Sequence, residues 1–391
     1  MSKDYLLHVD YCLTPHTRIN HAAIVLRGQR IFAVGGFSAF QNKESYEILN
    51  LPGCYAIPGF VDTHIYGAAG ADLMDLKQGD IDRMSMALAR HGVTTFLPTT
   101  QSAPANRLKS VVKQLAEICA QELPGAQAAG IHIDGPFLSD RLPGAHSESF
   151  LRGIDLEETK ELLFAADGHL KIFSFAPELA GSDRLTRLLV SRGVVPSLGH
   201  SHASRENIIN VLEQGARRCS HVMNAMAPLS QRTSGLAAVA LTEQRMWVEL
   251  IVDGVHIAPT MIKLACKCIA PEKLVCISNA MQAAGLEQDG TFQLGTRTVA
   301  VKEGFATIVG KGKIAGATKL LDENYRRLKE YTGLSQTAVA AACTENPANS
   351  VCLNDRGRLR PGKRADIVVF DRKTHTVRMT IAGGKVVYRN D

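Results

Sequence analysis

Leu274-Val275-Cys276-Ile277-Ser278-Asn279-Ala280-Met281-Gln282-Ala283-Ala284-Gly285 is an apolar run of strand length, then a small polar pair, then a loop bounded by glycine. The same grammar recurs upstream. Apolar runs at 56–61, 94–97, 128–133, 171–175, 194–198, 218–220 and 247–252 bring the candidate strands to eight. Helical patterns at 81–91, 105–122 and 206–213 fall between some of them. Strands alternating with helices predict a parallel sheet, and eight is the strand number of a (β/α)8 barrel.

An open, doubly wound sheet would also alternate. The placement of polar residues separates the two. Asp62 and His64, Thr99 and Thr100, Asp134, Glu178, His200, His221, Asp253 and His256, and Asn279 come at or just after the candidate strands. In a barrel these ends converge on one face, where active sites lie. A single histidine in such a position is ordinarily a hydrogen-bonded loop or core residue. Four of the 13 histidines in register with strand ends predict a site.

The two ends of the chain have another character. Runs at 22–26 and 30–34 meet around Gly28 as a hairpin, and runs at 365–370, 377–381 and 385–388 include a break at Gly383-Gly384. The fold class is therefore α/β: a TIM-type barrel over residues 56–355, with a small β-sandwich domain built from 1–55 and 356–391.

At 391 residues and 45% hydrophobic content the chain reads as globular. The net charge of +6 is scattered rather than clustered, which argues against a nucleic-acid footprint and suits small anionic substrates. No apolar run is long enough to span a membrane, and the start carries no signal-peptide pattern. The nine cysteines are odd in number and include no CxxC pair, so neither a disulfide framework nor a structural zinc site is expected. A cytoplasmic location follows as the default expectation.

For chemistry, His200 in Gly199-His200-Ser201-His202 and His221 in Ser220-His221-Val222 join Asp134 in His132-Ile133-Asp134-Gly135-Pro136. Two histidines and a carboxylate leave a metal position open for water, as catalytic zinc requires. Iron, cobalt and manganese accept the same donors. His202 is expected to be exposed on the following helix. Asn224, Ala225, Arg232 and His256 form a candidate anion set, Arg232 offering a fork that matches phosphate.

Gly59-Phe60-Val61-Asp62-Thr63-His64, Asp134-Gly135-Pro136, Gly144-Ala145-His146, Ala176-Pro177-Glu178, Gly199-His200-Ser201, His221-Val222-Met223-Asn224-Ala225-Met226, Arg232 and Asp253-Gly254-Val255-His256 occur in one order from about residue 20 onward. Together they resemble the N-acetylglucosamine-6-phosphate deacetylase family of the amidohydrolase superfamily. The segments around Asn279 and Trp247 look like its N-acetylgalactosamine-6-phosphate branch. The resemblance implies a metal-dependent barrel that releases acetate from a phosphorylated N-acetylhexosamine. It further implies one divalent metal per subunit, zinc first, on Asp134, His200 and His221. Ala145, His146, Asn224, Ala225, Arg232, His256, Ile314, Ala315 and Gly316 would bind substrate. A homodimer would form, with the residue matching Arg232 reaching the neighbouring site.

Three departures from the family pattern bear on turnover. Asn279 stands where the family has the aspartate that takes the water's proton, and an amide cannot be that base. His146 is then the nearest replacement. Asp134 stands in place of a glutamate. Tyr66 stands where relatives carry the second histidine of an HxH pair, which speaks against a second metal at His64. The leading expectation is a hexosamine-6-phosphate deacetylase impaired at Asn279. The alternative is a silent homologue that binds the sugar phosphate without turning it over.

Overall fold

The computed structural model describes residues 4–14, 17–40 and 45–390. Eight parallel strands run in chain order around a barrel: Phe60–Ile65, Val93–Thr100, Ile131–Asp134, Leu170–Phe175, Val195–Leu198, Arg218–Cys219, Trp247–Ile251 and Leu274–Ile277. A short ninth strand, Gln127–Ala128, pairs with the second. The ring closes just beyond the strand ends. The amide of Asn279 donates to the His64 carbonyl at 3.0 Å, and that of Tyr66 donates to the Ala280 carbonyl at 2.9 Å.

A helix follows each strand: Asp80–Arg90, Ala105–Cys119, Leu156–Ala165, Ser182–Ser191, Arg205–Glu213, Leu236–Thr242, Pro259–Cys268 and Leu321–Thr332. Their apolar faces lie on the barrel. In Ala105–Cys119 the buried residues are Leu108, Val111, Val112, Leu115, Ala116 and Ile118, the helical period read as a stripe. Local sequence sets the starts. The Asp155 side chain accepts from the amides of Glu157 and Glu158, and Ser204 makes a capping box with Asn207. Among the described residues no helix is long and apolar enough to cross a membrane.

The termini build a separate seven-stranded mixed sheet. Its order is Lys385–Arg389, Val377–Ala382, Ile367–Asp371, Glu47–Pro58, Tyr5–Leu13, Arg18–Arg27 and Arg30–Gly36. One face packs its own core of Leu7, Val9, Ile24, Val369 and Ile381. Val368 and Phe370 point the other way and join the barrel core.

Two expected strands are corrected here. The run at 128–133 is broken: Gln127–Ala128 pairs with the second strand, the barrel strand is Ile131–Asp134, and Asp134 ends that strand and does not follow it. The run at 56–61 is two elements: Ala56, Ile57 and Pro58 end a strand of the terminal sheet, and the barrel strand starts at Phe60. Gly59 sits between them with its amide on the Asp366 carbonyl; a Cβ there would lie 2.3 Å from the Thr94 side chain. Asp62 and His64 are consequently inside a strand rather than after it. A three-stranded antiparallel insert, Gly290–Leu294, Arg297–Lys302 and Phe305–Ile308, was not legible as such. It packs Leu294 and Val299 with Tyr66 and Met281 over the barrel mouth.

Candidate active site

The strand ends bring one buried cluster together. Asp134 ends the third strand with no exposed surface, and His146 Nε2 lies 3.1 Å from its Oδ2. His200 Nε2 and His64 Nε2 lie 3.8 Å from the same oxygen. The rings of His200 and His221 are 4.8 Å apart. His200, His221, Ala225 and Asn279 all take left-handed backbone, with φ of 46°, 25°, 49° and 54°. Non-glycine residues enter that region at a cost of about 1–3 kcal/mol each, and such strain collects at functional sites.

The donors are in ligand-ready states. Burial pushes His221 down to about 4 and, with His146 beside it, holds His200 well below the usual imidazole range. Burial alone would raise the Asp134 carboxyl, but the His146 hydrogen bond and the surrounding imidazoles outweigh it and hold Asp134 well below the usual range. The result is an anionic carboxylate beside two imidazoles, His200 and His221, that burial keeps neutral. Asp134 Oδ1 and His221 Nδ1 are buried without a hydrogen-bond partner. A lone pair left bare in the interior costs about 1–3 kcal/mol, and a cation satisfies both. Asp134 belongs to two overlapping groups within ligand reach, one with His64 and His221 and one with His146 and His200. This donor set fits one divalent metal.

His64 is held differently from the others. Its Nδ1 lies 2.8 Å from Glu249 Oε2, and its Nε2 lies 2.8 Å from the Tyr66 hydroxyl. That hydroxyl donates to Asp134 Oδ2 at 2.6 Å, so its single proton is spent. His64 must then donate from both nitrogens, as an imidazolium. Burial opposes this charge, but Glu249 overcomes it and raises the His64 pKa. Glu249 in turn pairs with Arg218 at 2.8 Å, both fully buried. Arg218, Glu249, His64 and Asp134 thus alternate in sign and sum to zero. Tyr66 fills the space between His64 and Asp134 where a second cation would need two free donors. Tyr66→His is expected to replace this bridge with an imidazole and raise bound metal from one to about two per chain. Metal analysis after dialysis checks it; a content that stays at one would mean that Tyr66 is not what excludes the second ion.

Below these groups, His132 is bonded to the Thr63 carbonyl at 3.1 Å and to Ser174 Oγ at 2.7 Å, and burial pushes it down to about 3. It is a satisfied core histidine.

The pocket above the cluster is lined by Tyr66, Gln101, Ala145, His146, His200, His221, Asn224, Ala225, His256, Asn279, Leu294, Ile314 and Gly316, with Gly144 and Ile251. Most residues singled out in the sequence meet here. His256 donates from Nδ1 to Asp253 Oδ2 at 2.6 Å. That bond fixes the tautomer and leaves Nε2 as the free nitrogen. Ala315 faces away, buried against the insert in the cluster with Met281 and Val299. Arg232 is exposed on its loop, and its backbone amide bonds to Ser230 Oγ; it does not line its own chain's pocket. His202 is half-buried ahead of the helix, against Glu178 at 2.8 Å and Ser139 at 2.7 Å, not exposed upon the helix as expected. Glu249, Arg218, Ser102 and Gln101 were not foreseen. The signal for the first two was a charge inside an otherwise apolar strand.

Comparison with known proteins agrees with this geometry. Residues 55–387 match the amidohydrolase family. An N-acetylgalactosamine-6-phosphate deacetylase of Escherichia coli O157:H7 is 34% identical over 83% of this chain and 86% of its own length. An N-acetylglucosamine-6-phosphate deacetylase of Bacillus subtilis is 33% identical over 85% and 84%. The crystal structure of a mutant N-acetyl-D-glucosamine-6-phosphate deacetylase from Mycobacterium smegmatis, in complex with N-acetyl-D-glucosamine-6-phosphate, superposes with a TM-score of 0.92. It is 31% identical and covers 99% of this chain and 100% of that one.

Proposed function

Because this chain belongs to the amidohydrolase family, alongside its N-acetylhexosamine-6-phosphate deacetylases, we propose that it hydrolyses the acetamide of an N-acetylhexosamine 6-phosphate to the amino sugar phosphate and acetate. The observation that carries the reading is the buried Asp134–His200–His221 cluster at the floor of a pocket whose rim holds Asn224 and His256. Asp134, His200 and His221 would hold the metal, zinc in the first instance. When bound, such an ion polarises an acyl oxygen and acidifies water.

The chain's own side chains do the rest. Asn224 and the Ala225 backbone bind the 6-phosphate on one side of the pocket, and His256, its Nδ1 proton on Asp253, joins them as a donor when Nε2 carries the second ring proton. Ser102 N–H donates to His146 Nδ1 at 3.2 Å, which places the ring proton on Nε2, facing Asp134. Of the titratable residues lining the pocket, Tyr66 is locked to Asp134, His200 and His221 are ligands, and His256 serves the anion. His146 is left to hold and move the proton at Nε2, toward the leaving amine. Asn279 contributes an amide that orients but takes no proton. The intact metal-binding groups, together with the likeness to deacetylases, favour a working enzyme over a silent binder.

Acetate release from the gluco and galacto 6-phosphates by the zinc-loaded protein, and its loss on chelation, tests the reading. Ligand-dependent stabilisation without any acetate would replace it with the silent binder. A cytoplasmic homodimer completes the reading, with Arg232 supplying the phosphate fork to the partner's pocket. That role accords with its exposure outside its own pocket. Arg232→Ala is then expected to raise KM about tenfold or more with kcat largely kept, since the phosphate contact is uniform binding. An unchanged KM would remove Arg232 from the site.

A further inference from the structure

Gln101 follows the second barrel strand directly and lines the pocket, yet its side-chain Nε2 is buried without a partner. The residue is 4% exposed. Gly295 packs against the other end of the amide: a Cβ on that glycine would lie 2.5 Å from Gln101 Oε1. The amide is therefore confined at its oxygen end and keeps one donor unmade on a residue that lines the pocket. A buried donor left unmade is costly, and in a binding site it is satisfied by the ligand.

Topology says which part of the ligand. The second and sixth strands stand four apart in a ring of eight, so Gln101 faces Asn224, which follows the sixth strand, across the barrel mouth. His256 follows the seventh strand, on the Asn224 side. The inference rests on the function proposed above, in which Asn224 and His256 hold the 6-phosphate and the Asp134 cluster meets the amide carbonyl. In a 2-acylamino sugar the acyl group and C6 lie on opposite sides of the ring. The group beyond the carbonyl then points toward the second strand, into a wall of Tyr66, Leu294 and Gln101. A methyl group satisfies the two apolar surfaces and leaves the Gln101 amide bare.

We propose that Gln101 selects the acyl group, and that the pocket accepts a hydroxyacyl amide, with an oxygen one carbon beyond the carbonyl, in preference to the plain acetyl amide. A hydroxyl pairs with the glutamine amide in either orientation, as donor or acceptor. The reaction is the same hydrolysis. The C–N bond breaks, water's oxygen joins the acyl carbon as the carboxylate, and both of water's protons leave on the amine, as the ammonium. The released acid is a hydroxycarboxylate in place of acetate.

The test is amine release from the N-hydroxyacetyl and N-acetyl forms of one hexosamine 6-phosphate, by the zinc-loaded protein and by Gln101→Leu. The quantity read is the ratio of the two kcat/KM values within each preparation, from which loss of fold or metal cancels. The expected wild-type ratio favours the hydroxyacetyl substrate, and Gln101→Leu lowers that ratio about tenfold or more. Calorimetric binding to metal-free protein, where nothing turns over, is expected to shift in the same direction. A wild-type preference for the acetyl form, or a ratio that Gln101→Leu leaves unchanged while both substrates react, overturns the proposal and leaves the deacetylase reading intact. No amine from either substrate overturns both.

Discussion

Asn279→Asp is expected to raise kcat for acetate release by about 10²–10⁴-fold, the range that a positioned general base contributes. The substitution exchanges an amide nitrogen for an oxygen and changes nothing in shape. The backbone there is already committed. Its N–H donates to the His64 carbonyl at 3.0 Å, its carbonyl accepts from Ala317 at 2.8 Å, and φ is 54°, a conformation that asparagine and aspartate both tolerate. The side chain lines the pocket, and its Oδ1 is buried without a partner. A carboxylate in that place can take a proton, and it adds negative charge beside the cation-binding cluster. The gain should therefore appear in kcat rather than KM, with a new acidic limb in the pH–rate profile as the carboxylate is lost. Steady-state acetate release across pH, for both proteins at equal metal content, checks it. An unchanged kcat would mean that proton transfer at His146 does not limit the present enzyme.

The barrel was legible because eight apolar runs ended in polar residues, a pattern that needs no knowledge of pairing. Asp134, His200, His221 and Asn279 could be named because each sits where a strand stops. The insert from Gly290 to Ile308 was not legible. Its strands alternate weakly, as Gly-Thr-Phe-Gln-Leu and Arg-Thr-Val-Ala-Val-Lys, and its purpose, roofing the pocket with Leu294, depends on contacts distant in sequence. The start of the first barrel strand was misplaced for a related reason. One continuous apolar stretch serves two sheets, and only the close approach of Gly59 to Thr94 marks where the chain leaves one for the other. The charge chain under the site was invisible for a third reason. Arg218 lies in a two-residue strand and Glu249 in the middle of Trp-Val-Glu-Leu-Ile, and a sequence does not say that the two point at each other.

That pair gives the largest expected effect on stability. Arg218 and Glu249 are both fully buried, 2.8 Å apart, and neither charge has water to fall back on. Arg218 also reaches Thr63 at 2.5 Å and Ser350, tying the first and sixth strands to the helix at Glu345–Ser350. Glu249 accepts from the His221 amide at 3.1 Å and from His64, so it also sets the backbone of His221 in the buried cluster. Arg218→Met is expected to cost about 3–5 kcal/mol, because it strands a buried carboxylate rather than merely deleting a contact. Arg218→Met with Glu249→Gln should recover at least half of that, since the uncompensated charge is gone while an acceptor for the His221 amide remains. The pH dependence has a definite sign. Burial raises the Glu249 pKa, but His64 and Arg218 outweigh it and hold the folded-state value below that of the unfolded chain. Their contribution is complete above the unfolded value of about 4.3 and fades as pH falls toward the lower folded one. Removing the guanidinium brings the two values closer, so the acid limb of stability should be shallower in Arg218→Met than in wild type. Urea unfolding of the metal-free proteins at pH 7 and at pH 4 measures both effects. Equal losses in the single and double variants would show that the cost lies in Arg218's bonds to Thr63 and Ser350 and not in the bare charge.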